Sequence, residues 1–207
     1  MEFREHIIDK AKELMLRFGV SSVTMDAIAS QCGISKRTLY EHFSDKRTLV
    51  RLVLQQMNRY RSVQVSRAIK ESSNKLDALL RIYFITREDV TQVSEVFVSD
   101  IERLYPDIQL ECSSHNREYV AELASLLRHG QHEGVFRETC NPRVTATLFF
   151  LQMRCVKPNI SKFPEGISVV EVLDSLFINF VRGIASHEGL EIIDKALAEH
   201  NIEKKLK

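Results

Sequence analysis

The 207-residue chain has few of the residues that interrupt helices, with only seven glycines and four prolines, and it has no tryptophan. This composition argues against an all-β or disordered protein. No uninterrupted apolar run reaches the about 20 residues that a membrane helix needs. The N-terminal run MEFREHIIDKAKELML lacks the basic-then-apolar order of a signal peptide. We therefore expect a helical protein of the cytoplasm, with no membrane association.

Signatures of catalysis and of metal binding are also missing. The sequence has no glycine-rich phosphate loop, nucleophile elbow, HExxH motif or paired-carboxylate signature. Its four cysteines are far apart, with no CxxC pair and no histidine at metal-ligand spacing: Cys32, Cys112, Cys140 and Cys155. They are interpreted as small buried hydrophobes, with oxidation sensitivity as the alternative. The sequence thus predicts no enzyme, no metal and no cofactor.

Charge is distributed unevenly along the chain, although its formal net value is only +1. Residues 1–61 contain eleven Lys/Arg and seven Asp/Glu, a net of +4, and residues 62–207 carry a net of −3. A positive N-terminal part is the charge pattern expected of a nucleic-acid-binding region.

Apolar residues recur at three- and four-residue steps through the whole chain, which predicts an all-α protein of nine or ten helices. The first stripe ends at Phe18 with Gly19 as its stop, and a long helix after Ser44-Asp45 has a stripe of Leu49, Leu52, Val53, Met57, Tyr60 and Val63. One helix is predicted from Pro106 towards His129, with Gly130 and Gly134 as stops.

The run TMDAIASQCGISKRTLYEHF, residues 24–43, predicts a helix-turn-helix. Thr24 and Ser35 are hydroxyl N-caps, and Gly33 supplies the turn between the two helices. Lys36, Arg37 and Thr38 open the second helix, and its apolar anchors, Leu39 and Phe43, follow at four-residue spacing. Donors at the front of an anchored helix are suited to a DNA major groove.

Residues 7–49 resemble the DNA-binding domain of TetR-type transcriptional regulators. The resemblance rests on Phe18-Gly19, Thr24 with Ile28-Ala29, Cys32-Gly33-Ile34-Ser35, Leu39-Tyr40-Glu41-His42-Phe43, and Lys46 to Leu49. It implies a three-helix head at residues 1–47 and a helical ligand-binding and dimerisation domain at residues 48–207. Three residues depart from the usual pattern: Cys32 for Ala, Arg37 for a small residue, and Ala27 for an acidic residue.

The resemblance also implies roles for residues of the head. Thr24, Tyr40 and Lys46 match phosphate-contacting positions, which His42 would support, and Ser35 caps the recognition helix. Lys36, Arg37 and Thr38 are the candidates for contact with base edges. Because one head covers few base pairs, we expect a homodimer on a pseudo-palindromic DNA operator.

Two further groups of residues are candidates for the body. Its apolar helices predict a dimer interface among Leu148, Phe149, Phe150, Leu151, Met153, Val169, Val172, Leu173, Leu176, Phe177, Phe180 and Ile184. A pocket for a small-molecule effector is predicted from Tyr83, Arg87, His115, Tyr119, Gln152 and Arg154. Arg154 interrupts an apolar helix, and a buried guanidinium needs a partner such as a carboxylate, which could equally be a structural Asp or Glu at the dimer interface.

The predicted function is a ligand-responsive repressor that a small molecule releases from DNA. The alternative keeps the fold and the DNA binding but places control with a protein partner, such as a co-activator or a nucleoid-associated factor, without a small-molecule inducer. A thermal-shift screen of metabolites, drugs and acyl compounds would discriminate between them, and a dry, filled body in a structure would favour the partner model.

Overall fold

The structure is a computed structural model that describes residues 2–113, 116–156 and 162–199, without the side chains of residues 110, 112, 113, 116–118 and 154. The described residues form eleven α-helices and no strand, with one isolated β-bridge between Phe136 and Ala185. The helices are α1 Glu2–Phe18, α2 Met25–Gln31, α3 Lys36–His42, α4 Lys46–Glu71, α5 Lys75–Gln92, α6 Glu95–Leu104, α7 Pro106–Ser113, α8 Asn116–His132, α9 Pro142–Val156, α10 Val169–Ile184 and α11 His187–Glu199. The all-α prediction is confirmed.

The described helices exceed the predicted nine or ten because the segment from Pro106 to His132 contains two helices, α7 and α8. Residues 114 and 115 between them lie outside the described residues. The prediction that Gly130 ends a helix is wrong, because this glycine lies inside α8. A Cβ added to Gly130 would come within 2.3 Å of the Phe136 ring. Gly134, with φ of +78°, makes the turn after α8.

The chain forms two compact units. The first contains residues 1–63 and 91–114, and the second contains residues 64–90 and 115–207. Helices α6 and α7 therefore pack with α1–α4. The predicted boundary at residues 47 and 48, between the DNA-binding domain and the ligand-binding and dimerisation domain, stays a prediction.

The core of the first unit is built from the apolar stripes of α1–α4, α6 and α7, and its largest fully buried side chains are Phe43, Ile7, Met15, Ile28, Leu39, Leu49 and Ile108. Two of the predicted stripes extend beyond this core at one end. Phe18 is exposed at the end of α1, under the Arg17 guanidinium. Tyr60 and Val63 are exposed on α4, whose contact with this core extends only to Met57.

The core of the second unit is formed by α5, α8, α9, α10 and α11. Phe149, Phe177 and Tyr83 are buried in it, and the Tyr83 ring stacks on the Phe177 ring with centroids 3.7 Å apart. Ser168 opens α10 with a capping box, in which its side chain and that of Glu171 each accept from the other's backbone N–H. Ser168 is therefore the N-cap of α10.

Candidate functional site

Two hydroxyl caps begin the helices of the predicted helix-turn-helix. Thr24 Oγ1 accepts from the backbone N–H of Ala27 at 3.1 Å, and Ser35 Oγ accepts from that of Thr38 at 3.0 Å. Each cap satisfies a backbone donor that the first turn of a helix leaves unpaired. The hydroxyls of Thr24 and Ser35 therefore hold the starts of α2 and α3 in place, as the spacing predicts.

The turn between the two helices depends on Gly33, which has φ of +67°. Only glycine adopts this conformation without strain, and it lets the Ile34 N–H reach back to the Ala29 carbonyl at 3.0 Å. Cys32 precedes it as the C-cap of α2 and is half-buried. Burial raises the pKa of the Cys32 thiol, which disfavours the thiolate that oxidation requires.

The exposed face of α3 carries two cations, each paired with a carboxylate. Lys36 Nζ lies 2.8 Å from Asp26 of α2, and Arg37 Nε lies 3.3 Å from Glu41 one turn along α3. The hydrogen bond to Asp26 raises the pKa of Lys36, so this amine is protonated at neutral pH. Arg37 is the most exposed of the four, with 90% of its side chain accessible.

The candidates for phosphate contact lie around the end of α3 and the start of α4. Tyr40 and His42 are exposed, and the His42 ring meets Phe3 of α1 edge-to-face, with centroids 5.3 Å apart. Lys46 is half-buried in the first turn of α4. Burial lowers the pKa of Lys46, and the charge of Asp100 partly opposes this shift. Their roles in DNA contact stay predictions.

Asp100 of α6 is a buried carboxylate that the sequence analysis missed. Its Oδ2 accepts from the Ser21 N–H at 2.6 Å, between α1 and α2, and its Oδ1 accepts from Arg103 at 3.3 Å. Burial opposes ionisation, but these bonds lower the pKa of Asp100 overall. The missed signal was an acid on the buried stripe of α6, beside Ile101 and three residues after Phe97.

In the second unit, two of the predicted effector-binding residues share a partner within the chain. Arg87 donates to both oxygens of Asp174, at 2.7 and 3.0 Å, and the Tyr83 hydroxyl donates to Oδ1 of the same carboxylate. Burial raises the pKa of Tyr83, and the charge and hydrogen bond of Asp174 raise it further. Sequence reasoning missed Asp174, although it is an acid on an otherwise apolar stripe of α10.

Two more of the predicted effector-binding residues, Tyr119 and Gln152, have other neighbours. Tyr119 is half-buried, with its ring 5.7 Å from that of Phe150, and Gln152 is exposed beside a surface groove. His115 and the side chain of Arg154 lie outside the described residues. A small pocket lined by Phe136 measures about 10 Å³, which is room for one water molecule.

The residues of the predicted dimer interface differ in burial, and their role in dimerisation stays a prediction. Phe149, Leu173 and Phe177 are buried inside the second unit, because the inward faces of α9 and α10 form its core. The half-buried members of the predicted set are Phe150, Met153, Val169, Val172, Leu176 and Phe180.

The outward faces of α9 and α10 border an open groove of about 500 Å³. Leu148 is exposed at its edge, and Leu151 is exposed one turn further along α9. No atom lies within 4 Å of a Cβ built on Gly183 of α10, which also lines the groove. The lining residues are Thr145, Leu148, Phe149, Gln152, Leu176, Asn179, Phe180, Gly183 and Ile184.

Neither a metal-binding cluster nor a membrane-spanning helix is found among the described residues. Within residues 2–113, 116–156 and 162–199, no three His, Cys, Asp or Glu side chains are grouped so that they could hold a metal ion. Over the same described ranges, every helix is too short or too polar to cross a membrane.

The sequence matches two protein-family models. "Bacterial regulatory proteins, tetR family" covers residues 7–53, and "Tetracyclin repressor-like, C-terminal domain" covers residues 69–156. The HTH-type transcriptional regulator UidR of Escherichia coli (strain K12) is 26% identical over 149 residues, which are 70% of this chain and 74% of UidR. SrpR of Pseudomonas putida is 40% identical over 53 residues, but these are only 26% of this chain and 25% of SrpR.

Solved structures share the fold over most of the chain. A transcriptional regulator from Saccharomonospora viridis in complex with choline has a TM-score of 0.74 at 21% identity, over 90% of this chain and 99% of its own. A TetR-family regulator from Agrobacterium tumefaciens has a TM-score of 0.70 at 19% identity, over 89% and 98%. Together with the helix-turn-helix and the helical second unit, these matches show that the chain belongs to the TetR family of DNA-binding transcriptional regulators.

Proposed function

We propose that the protein is a ligand-responsive repressor that binds a pseudo-palindromic operator in the cytoplasm as a homodimer. The observation that carries the proposal is α3, a capped helix with Leu39 buried on one side and 90% of the Arg37 side chain accessible on the other. Arg37 offers bidentate donors to guanine O6 and N7 in a major groove. The cation of Lys46 is suited to a phosphate contact, which positions the protein without contributing sequence preference.

Two substitutions test this division of roles. Arg37→Ala is expected to weaken the free energy of operator binding by about 1–3 kcal/mol and to relax the base preference at one base pair per half-site. Lys46→Ala is expected to weaken binding to all duplexes about equally. It should also lower the slope of log affinity against log salt concentration by about one per head. Binding is measured by fluorescence anisotropy on operator and random DNA across a salt series. Equal losses on both duplexes for both variants would contradict the assignment.

The operator is identified first, by isolating the genomic DNA fragments that the purified protein retains and then footprinting the protein on them. We expect a protected pseudo-palindrome with half-site centres about one helical turn, or a multiple of it, apart. Retention of fragments without any shared sequence would contradict the proposal of a specific repressor.

For the homodimer, the proposal relies on the outward faces of α9 and α10. Leu148 and Leu151 are exposed, and Leu176 and Phe180 are only half-buried along the groove beside them. Apolar surface of this kind gains free energy when a second copy covers it, at about 25 cal/mol per Å². Gly183 adds a point at which a second backbone can approach closely.

The interface is tested by placing a charge on it. Leu148→Glu is expected to produce monomers in sedimentation equilibrium at micromolar concentration, because a carboxylate would be buried without a partner. Leu104→Glu, on the exposed side of α6, serves as the matched control and is expected to stay dimeric. A dimeric Leu148→Glu protein would place the interface elsewhere.

We propose that an effector binds in the second unit and lowers the affinity for the operator. Tyr83 and Arg87 already bond Asp174, so a ligand that used them would exchange with this carboxylate. A thermal-shift screen of metabolites, drugs and acyl compounds, followed by operator release, tests this part. A screen in which no compound stabilises the protein or releases the operator would favour the protein-partner alternative.

A further inference from the structure

The outermost side of the recognition helix carries an acid as well as a base. Successive residues of an α-helix are rotated by about 100°, so Arg37 and Glu41, two residues before and after Leu39, each lie about 160° around the axis from it. Leu39 is fully buried, whereas 90% of the Arg37 side chain and 58% of the Glu41 side chain are accessible. These two side chains are therefore the central pair on the face that points away from the core.

The neighbouring cation, Lys36, occupies a different position. It lies three residues before Leu39, about 60° around the axis from it, and is therefore closer to the buried side. Its amine bonds Asp26 of α2 at 2.8 Å. A helix that enters a major groove with its outward side first would present Arg37 and Glu41 to the bases before Lys36.

Stability does not account for the Arg37–Glu41 pair. Exposed ion pairs at i,i+4 on a helix contribute little, because water screens both charges. A lone carboxylate on this face would also repel DNA phosphates, and this repulsion weakens binding to any sequence. It becomes favourable only where the DNA offers a donor, and the exocyclic amino group of cytosine is such a donor in the major groove.

We propose that Glu41 is a specificity-determining residue that accepts a hydrogen bond from the exocyclic amino group of a cytosine, beside a guanine bound by Arg37. The inference rests on the proposed use of α3 to contact the operator. In this arrangement the Arg37–Glu41 hydrogen bond of 3.3 Å keeps the two side chains together on the free helix. On random DNA, Glu41 lacks its cytosine partner and its charge lowers affinity.

The test compares Glu41→Gln with wild type and with a matched control, using the full chain. The control is Glu71→Gln, because Glu71 accepts from Arg67 at 2.8 Å in another exposed i,i+4 pair, on α4. Each protein selects duplexes from a randomised pool, and its affinities for the selected and random duplexes are then measured. Thermal melting verifies that the exposed substitutions leave folding unchanged.

For wild type we expect a cytosine preference at one position per half-site. Glu41→Gln is expected to reduce this preference by about tenfold and to bind random DNA more tightly, while Glu71→Gln behaves as wild type. An unchanged preference in Glu41→Gln, or an equal loss on all duplexes, would overturn the role of Glu41. If wild type enriched no sequence, the DNA-binding role of α3 would fail first, and the inference with it.

Discussion

Replacing Asp174 with alanine is expected to destabilise the second unit strongly, because this carboxylate is the shared acceptor of Tyr83 and Arg87. Its side chain is 3% exposed, and that of Arg87 is 23% exposed. Removing one partner of a buried ion pair costs about 3–5 kcal/mol, since the remaining charge is left without compensation. Water reaches part of Arg87, so we expect the lower end of that range.

The three side chains are expected to act as one network. Tyr83→Phe removes a single donor while Arg87 still bonds both oxygens of Asp174, so about 1–2 kcal/mol is expected. Arg87→Met leaves a buried carboxylate with only the Tyr83 hydroxyl, and we expect about 3 kcal/mol. The double variant should deviate from additivity by about 0.5 kcal/mol or more, because the two donors share one acceptor.

Urea unfolding is followed by far-UV circular dichroism, since the chain has no tryptophan, at one fixed protein concentration. Native-state hydrogen exchange then locates the loss in α5 and α10, the helices that the network joins. A loss of unfolding free energy below about 1 kcal/mol for Asp174→Ala would refute the reasoning, because substitutions of ordinary surface residues have effects of that size. If Tyr83→Phe and Arg87→Met kept full stability but abolished effector response, both residues would belong to the effector site.

Three further variants test packing, capping and charge. Gly130→Ala is expected to lose about 1–3 kcal/mol in urea unfolding, because the new methyl group meets the Phe136 ring; wild-type stability would contradict that close approach. Ser35→Ala should lower the free energy of unfolding by about 1 kcal/mol and weaken operator binding. Unchanged stability and unchanged operator affinity would show that the cap is dispensable. Asp100 has a lowered pKa, so its bond to Ser21 stabilises the folded state above its ordinary pKa of 3.8 and is lost as the pH falls through the folded value. The stability difference between wild type and Asp100→Asn should therefore narrow in acid, and a constant difference between pH 7 and pH 2 would contradict the ionised state.

Local signals predicted most of the helices and the core of the DNA-binding head. Caps such as Ser35 and Ser168 use a side chain within three residues of its backbone partner, so sequence alone identifies them. Gly33 likewise acts through its own φ. Together with the apolar spacing around Leu39, these residues define the helix-turn-helix without knowledge of the rest of the fold.

The contacts of the second unit were beyond sequence reasoning because they join distant residues. Tyr83 and Asp174 are 91 positions apart, and periodicity gives the face of a helix but not the helix that it meets. The same limit applies to apolar stripes. Phe149 and Leu148 are neighbours in one apolar run, yet one is buried in the core and the other is exposed beside the groove.

Arg37 and Arg87 show how burial separates two arginines that were both predicted to bind other molecules. Each donates to one carboxylate within the chain, at 3.3 and 2.7 Å respectively. The Arg37 pair is solvated, so opening it costs little and its guanidinium is available to a base. The Arg87 pair includes a carboxylate that is almost fully buried, and a ligand could take its place only by solvating or neutralising Asp174. Arg37 is therefore suited to intermolecular contact, whereas Arg87 serves the fold until an effector that can replace Asp174 is found.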